Sequence, residues 1–218
     1  MAGGLFHWGV PLCIGIARRW RAEDAAAIAR RLDGALGDRG EVLDLGGGTG
    51  HLAALLAAEI RRPVTVLDAS APMLSRAARM GGIKPVLGDA AQMPFPDAAF
   101  DAVIAFDAVH HFERPEEALA EVARVLRPGG ALLVGEFDPR LRGVRVLAAV
   151  ERLVGEPGHF FAPRELESLV ARHGVTGTSE AQRLGSYLFV GCRAAKSGAG
   201  GEGVARDASR DCGNTRRT

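Results

Sequence analysis

Val42-Leu43-Asp44-Leu45-Gly46-Gly47-Gly48-Thr49-Gly50 decides the reading of this chain. A short apolar run broken by one aspartate enters a glycine-rich turn, and His51 to Ile60 behind it has a helical pattern. That order is a buried strand, a tight turn and a helix. Glycines at such a turn let the backbone bend sharply and approach a ligand closely. A glycine turn alone is weak evidence, because several nucleotide and nucleoside sites use one. Spacing narrows the choice. The glycines fall at 46, 48 and 50, whereas a dinucleotide fingerprint puts the third at 51, which is His51. No Gly-Lys-Ser/Thr follows, so a P-loop is excluded.

Working outward, helical spacing covers Glu23 to Leu36, Ala71 to Met80 and Pro115 to Leu126, with a further helix opened by Pro163 and closed by Gly174. Apolar runs at Glu41 to Leu45, Pro63 to Leu67, Pro85 to Leu87, Phe100 to Phe106 and Ala131 to Phe137 read as strands, the fifth behind the turn Pro128-Gly129-Gly130. Strand and helix alternate with short connections. The fold class is therefore α/β, with a parallel sheet covered by helices on both faces, because parallel strands need crossover helices. Leu141 to Val154 is an amphipathic stretch with Arg140, Arg142, Arg145 and Arg152 mostly off its apolar side. Val175 to Glu180 and Ser186 to Cys192 are separated only by a turn around Gly185 and form a C-terminal hairpin.

Asp68 closes the second strand roughly 20 residues past the glycines, where an open sheet sets a carboxylate against a ribose. A carboxylate accepts both hydrogen bonds of a vicinal diol. Together Asp44, Gly46, Gly48, Gly50 and Asp68 resemble the first motifs of the class I S-adenosylmethionine-dependent methyltransferases. Asp68-Ala69-Ser-Ala-Pro-Met73-Leu74 is similar to the stretch that follows in that family, Gly88-Asp89-Ala90 to its next motif, and Phe95 to Asp101 and Arg124-Val-Leu-Arg-Pro-Gly-Gly130 to the last two. The resemblance covers Glu41 to Phe137. It implies a Rossmann-like class I methyltransferase fold: a seven-stranded, mostly parallel sheet whose last strand runs antiparallel. It implies S-adenosyl-L-methionine as cofactor, with Asp44 beside its methionine end, Asp68 and Ala69 at the ribose, Met73, Asp89 and Ala90 at the adenine, and Phe106 lining the same crevice. Arg124 to Gly130 followed by Glu136-Phe137-Asp138-Pro139 is similar to the ubiquinone/menaquinone-biosynthesis type and its small-molecule relatives. One departure falls after the fourth strand. The quinone enzymes carry an Arg-Asn pair there, and this chain has Val109-His110-His111-Phe112.

The resemblance implies methyl transfer to a small apolar or aromatic acceptor. A protonated acceptor needs a proton sink, and His110 and His111 follow the carboxyl end of the fourth strand, where open sheets place their ligands. They are the candidate catalytic bases, set against a bland reading in which one caps a helix and the other packs in a loop. Asp107 reads better as an Asx turn that fixes the loop. His159-Phe160-Phe161 reads as core packing ahead of the wall of an apolar pocket. Residues 1–40, with Phe6, Trp8 and Trp20, form an N-terminal helical segment expected to close over the cofactor, 41–193 the methyltransferase domain, and 194–218 a tail expected to be disordered.

Composition bounds the partners. The 218 residues carry 27 Lys+Arg against 26 Asp+Glu, a net charge of +1, which removes the electrostatic case for nucleic acid. Leu5 to Ala17 is too short to span a bilayer, and its arginines follow the apolar run, so neither a membrane segment nor a signal peptide is expected. Three scattered cysteines, Cys13, Cys192 and Cys212, allow no disulfide framework or metal motif and suit a reduced, cytoplasmic setting. Oligomeric state is left open. Two other readings share the glycine turn and the acid: an NAD(P)-dependent oxidoreductase, and a non-catalytic module that binds the cofactor. The glycine spacing and Gly88-Asp89 count against the first.

Overall fold

The computed structural model describes residues 20–36, 40–153 and 158–195. Strand β1 (Val42–Leu45) is buried along its whole length, as a strand covered on both faces must be. β2 (Val64–Asp68), β3 (Ile83–Leu87) and β4 (Phe100–Phe106) lie parallel to it, joined by α2 (His51–Ile60) and α3 (Ala71–Ala77). α1 (Ala22–Leu32) precedes them. α4 (Pro115–Val125) leads into β5 (Leu126–Phe137), followed by α5 (Arg142–Leu153), α6 (Pro163–Arg172), β6 (Val175–Ala181) and β7 (Ser186–Arg193). The order across the sheet is β3-β2-β1-β4-β5-β7-β6. β7 runs antiparallel to both of its neighbours, β5 and β6. The seven-stranded sheet, its two covered faces and the antiparallel last strand are as the sequence led us to expect.

Side chains alternate across the sheet even where nothing is polar. Leu43, Leu45, Val103, Ala105, Leu132 and Val134 pack against Leu119 and Val122 of α4 and Leu166 and Val170 of α6. Val42, Ala102, Ile104, Ala131 and Leu133 pack the other way, against Ile28 and Leu32 of α1, Leu52 and Leu56 of α2, and Leu74 of α3. Asp44 and Glu136 are the acidic residues that this alternation carries fully into the interior (2% and 1% exposed), and both sit near strand ends.

Several boundaries differ from the sequence reading. Pro128-Gly129-Gly130 does not precede the fifth strand but lies inside β5, as an irregularity where the pairing with β4 slips between Phe100 and Ala102. Backbone spacing explains the residues: a Cβ at Gly130 would stand 2.9 Å from the carbonyl oxygens of Arg127 and Asp101. α3 ends at Ala77 instead of Met80, and β3 starts two residues early at Ile83. The expected disorder of 194–218 and the greater part of the N-terminal cover lie outside the described residues.

The two arginines of the last motif prove to be fasteners. Arg124 donates to the carbonyls of Met93 and Phe95 and to Glu121 and Asp97, pinning the loop between β3 and β4 onto α4. Arg127 pairs with Asp101 at 2.5 Å, and the same carboxylate accepts the Glu41 N–H at 2.8 Å.

Candidate active site

Parallel strands bring their carboxyl ends to one edge of the sheet, and the site residues read from the sequence lie in the last residues of those strands or in the loops and helix start that follow them. Gly46, Gly48 and Gly50 all have positive φ (71°, 54° and 72°), a conformation that disfavours side chains. Space requires glycine as well. A Cβ at Gly46 would stand 2.7 Å from the Ala108 Cβ, and one at Gly47 would stand 2.5 Å from Asp44 Oδ2. The first contact shows that the glycine turn abuts the loop that carries the histidines.

Asp44 lies directly beneath this turn. Its Oδ2 is buried and has no hydrogen-bond partner among the described residues. Burial first, and then the neighbouring Asp68 charge, push its pKa up to about 7. Asp68 accepts from Gly48 N–H at 2.9 Å and Ser70 N–H at 2.8 Å, one on each oxygen. Its pKa is also raised, because desolvation outweighs those two bonds. The amide groups that tie Asp68 down leave lone pairs on both oxygens for a diol.

The adenine-side residues are less enclosed. Ala69 is exposed after β2, Met73 is half-buried on α3, and Ala90 is half-buried after β3. Asp89 is exposed, accepts the Ala91 N–H and pairs with Arg114 at 2.5 Å, which together hold its carboxyl below the usual range. Arg114 was not foreseen. Phe106, at the end of β4, meets Trp20 edge-on at 5.1 Å, and the Trp20 carbonyl contacts His51 Nε2 at 3.1 Å. The last residue of the N-terminal aromatic stretch thus reaches the crevice edge.

The histidines sit on a single 3-10 turn, Val109–His111, so they stand side by side with ring centroids 4.0 Å apart. His110 is 1% exposed and neither caps a helix nor packs passively. Its Nδ1 lies 2.6 Å from Glu136 Oε2, and Phe160 stacks on its ring at 4.4 Å. The other oxygen of Glu136 accepts the N–H of Val109 at 2.8 Å, with longer contacts to those of Ala108 and His110. Burial opposes a charge on His110, but Glu136, Asp107 and Glu151 outweigh it and hold the imidazole above its ordinary value. His111 has an exposed edge, yet desolvation of its crowded ring, and then the charge on His110, push it down to about 4. Asp107 has φ +56° and its N–H bonds to Gly135 O, consistent with a loop-fixing residue.

Glu136 is the residue whose role the sequence reading missed. It was quoted only as part of a likeness. A glutamate in step with Leu132 and Val134 on the buried face of β5 was the available signal, since a buried charge needs a partner. Of His159-Phe160-Phe161, expected to pack in the core, Phe161 is buried there and the stretch also borders open space. Phe160 lies on His110, while His159 and Phe161 line a cleft of about 530 Å³ with Phe112 and Leu169.

Residues 43–134 match the model of a methyltransferase-domain family. A demethylmenaquinone methyltransferase of Thermus thermophilus is 42% identical over 110 residues, 47% of this chain and 49% of that one. A fatty-acid O-methyltransferase of Mycolicibacterium smegmatis is 41% identical over 103 residues, 45% of this chain and 38% of that one. The chain spans about half, or less, of the length of these curated relatives. A solved SAM-dependent methyltransferase of Thermotoga maritima superimposes with a TM-score of 0.64 at 20% identity, over 86% of this chain and 98% of that one. Over residues 43–134 the chain is similar to this methyltransferase-domain family, and its sheet has the Rossmann-like fold of the solved methyltransferases. Within that class, its sequence is similar to the quinone-type small-molecule methyltransferases. Among the described residues, no helix is long and apolar enough to cross a membrane.

Proposed function

We propose that this chain methylates a small apolar or aromatic acceptor, using S-adenosyl-L-methionine. The observation that carries the proposal is Asp44 Oδ2, buried without a hydrogen-bond partner beneath the glycine turn and crowded by Asp68. A dinucleotide would set an anionic pyrophosphate over that turn, and a buried carboxylate there repels it. A ligand with an ammonium group is attracted instead. The residues present therefore fit this cofactor: Asp44 for the ammonium, Gly46, Gly48 and Gly50 along the methionine end, Asp68 and Ala69 at the ribose, Met73, Asp89 and Ala90 around the adenine, and Phe106 as a wall. Residues 1–40 are assigned as the cover of the site, a reading supported by Trp20 against Phe106.

When bound, the cofactor supplies a methyl group on a sulfonium, already a good electrophile. The chain's part is to hold the two reactants in line, exclude water and accept a proton where the acceptor carries one. His110 and His111 are proposed for that last task. Glu136 takes the Nδ1 proton of His110 as a hydrogen bond, which leaves Nε2 as the accepting atom. A carboxylate acceptor would need no base, so the histidine pair favours an acceptor bearing a hydroxyl on an aromatic or quinol-type ring.

The test is equilibrium titration with S-adenosylhomocysteine and with NADH, followed by mass-spectrometric screening of hydroxylated quinol, phenol and fatty-acid acceptors. Binding of S-adenosylhomocysteine but not NADH, with product gaining one methyl group, is expected. NADH binding alone would overturn the proposal in favour of an oxidoreductase. Tight S-adenosylhomocysteine binding without methyl transfer to any acceptor would point to a binding module. Methyl transfer unchanged in His111→Ala at saturating cofactor would leave His110 as the base.

A further inference from the structure

Beside the cofactor crevice, one donor atom from each of His110, His111 and Glu151 lies within 4.8 Å of the other two. Two of these residues share the 3-10 turn after β4, and the third comes from α5, so the tertiary fold brings them together. The His110 side chain is wholly shielded from solvent, with Nδ1 held on Glu136 at 2.6 Å. Its Nε2 is buried and has no hydrogen-bond partner among the described residues; Asp107 Oδ1 stands at 3.9 Å, beyond hydrogen-bond reach. An imidazole that donates Nδ1–H to a carboxylate presents a bare, more basic lone pair at Nε2, and histidines that bind metals are oriented in this way. Glu136 is itself fixed by the Val109 N–H at 2.8 Å, so the ring cannot turn away.

The surroundings favour a cation. Glu136, Asp107 and Glu151 all face the His110 ring. Space is kept beside the donors by Gly158, where a Cβ would stand 2.8 Å from His110 Cδ2 and 3.2 Å from Glu151 Oε2. Two imidazoles and one carboxylate are the donor set of three-ligand zinc sites, whereas magnesium and calcium take oxygen donors. Tetrahedral bonds of about 2.1 Å set donors about 3.4 Å apart, so donors within 4.8 Å of one another must close in by up to about 1.4 Å. His111, with an exposed edge, can supply that movement while His110 stays fixed.

We propose that His110 Nε2, His111 and Glu151 form a binding site for a divalent transition-metal cation of the zinc class, with Glu136 as the positioning residue and a fourth coordination position left for water or an acceptor oxygen. The metal would compete with a proton for the same Nε2 lone pair, so a bound cation is expected to suppress the base role proposed for His110 and to be displaced as pH falls.

Metal binding can be measured without the methyl-transfer reaction, so its failure and that of the functional proposal are distinguishable. Full-length protein stripped with a chelator is titrated with Co²⁺, following the visible d–d bands, and with Zn²⁺ by calorimetry. One saturable equivalent with the intense bands of tetrahedral Co²⁺ is expected. His111→Ala and Glu151→Gln each weaken binding at least about 10-fold, and Glu136→Gln by about 10- to 100-fold. His173→Ala and Cys192→Ser, remote from the cluster, leave it unchanged. His111 and Glu151 contribute little to the core, so those two variants keep the thermal unfolding midpoint of the parent. Absence of a saturable Co²⁺ spectrum, or equal affinity in the parent, His111→Ala and Glu151→Gln, overturns the site and leaves the cluster an electrostatic network only.

Discussion

Replacing Asp44 by Asn should make the ligand-free protein more stable and the cofactor complex weaker, and the gain should depend on pH in a defined direction. In the unfolded chain this carboxyl ionises near its ordinary 3.8, whereas burial and Asp68 raise it to about 7 in the fold. Between these values the unfolded state releases the proton and the folded state keeps it, so stability falls as pH rises from about 4 to about 7 and levels off above. A shift of about three units corresponds to about 4 kcal/mol at full development, and about 3 kcal/mol of that develops between pH 5 and pH 8. For a chain of this size that is roughly 5–10 °C in the unfolding midpoint. The assay is thermal unfolding of parent and Asp44→Asn at pH 5 and pH 8. Taking the difference between the two proteins cancels the titration of every other group. The variant should gain on its parent by about 3 kcal/mol from pH 5 to pH 8. In parallel, removing one partner of a buried charge pair should cost S-adenosylhomocysteine binding about 100-fold or more at pH 8. A variant whose stability relative to the parent is the same at both pH values would refute the reasoning, because Asp44 would then carry no ionisation penalty.

Two other perturbations probe the same edge of the sheet. Gly46→Ala should cost about 2–4 kcal/mol in urea unfolding and abolish measurable S-adenosylhomocysteine binding, since the residue has φ +71° and its Cβ would press on Ala108. Glu136→Ala should cost about 3 kcal/mol by stranding the buried N–H of Val109 and the Nδ1–H of His110, while Glu136→Gln, which keeps an acceptor oxygen, should cost less than half as much. Equal losses in these two variants would show that the carboxyl does not hold the turn.

The sheet was readable because its determinants are local. Apolar runs, crossover helices and glycine stops each report on their own few residues, so β1, α2 and β4 fall where the pattern put them. The errors came where a distant strand decided the outcome. Pro128-Gly129-Gly130 looks like a turn in isolation, and it belongs to β5 because β4 lies alongside and absorbs the slip in register. The cofactor residues Asp44, Gly46, Gly48, Gly50 and Asp68 were readable for the same local reason, being a strand end, its turn and the next strand end.

By itself, then, the sequence determined a parallel sheet with a glycine turn at the end of its first strand, an acid at the end of its second and a histidine pair after its fourth. Only the tertiary structure decided what those groups experience. Asp44 holds its proton to about pH 7 because the fold buries it beside Asp68. Asp89 is held on Arg114 across 25 residues of chain. His110 is aimed by Glu136 from β5 and faced by Glu151 from α5. Residue type and spacing specify which groups can act. Desolvation and the distances between side chains far apart in sequence set their charge and direction, and no short-range pattern encodes those distances.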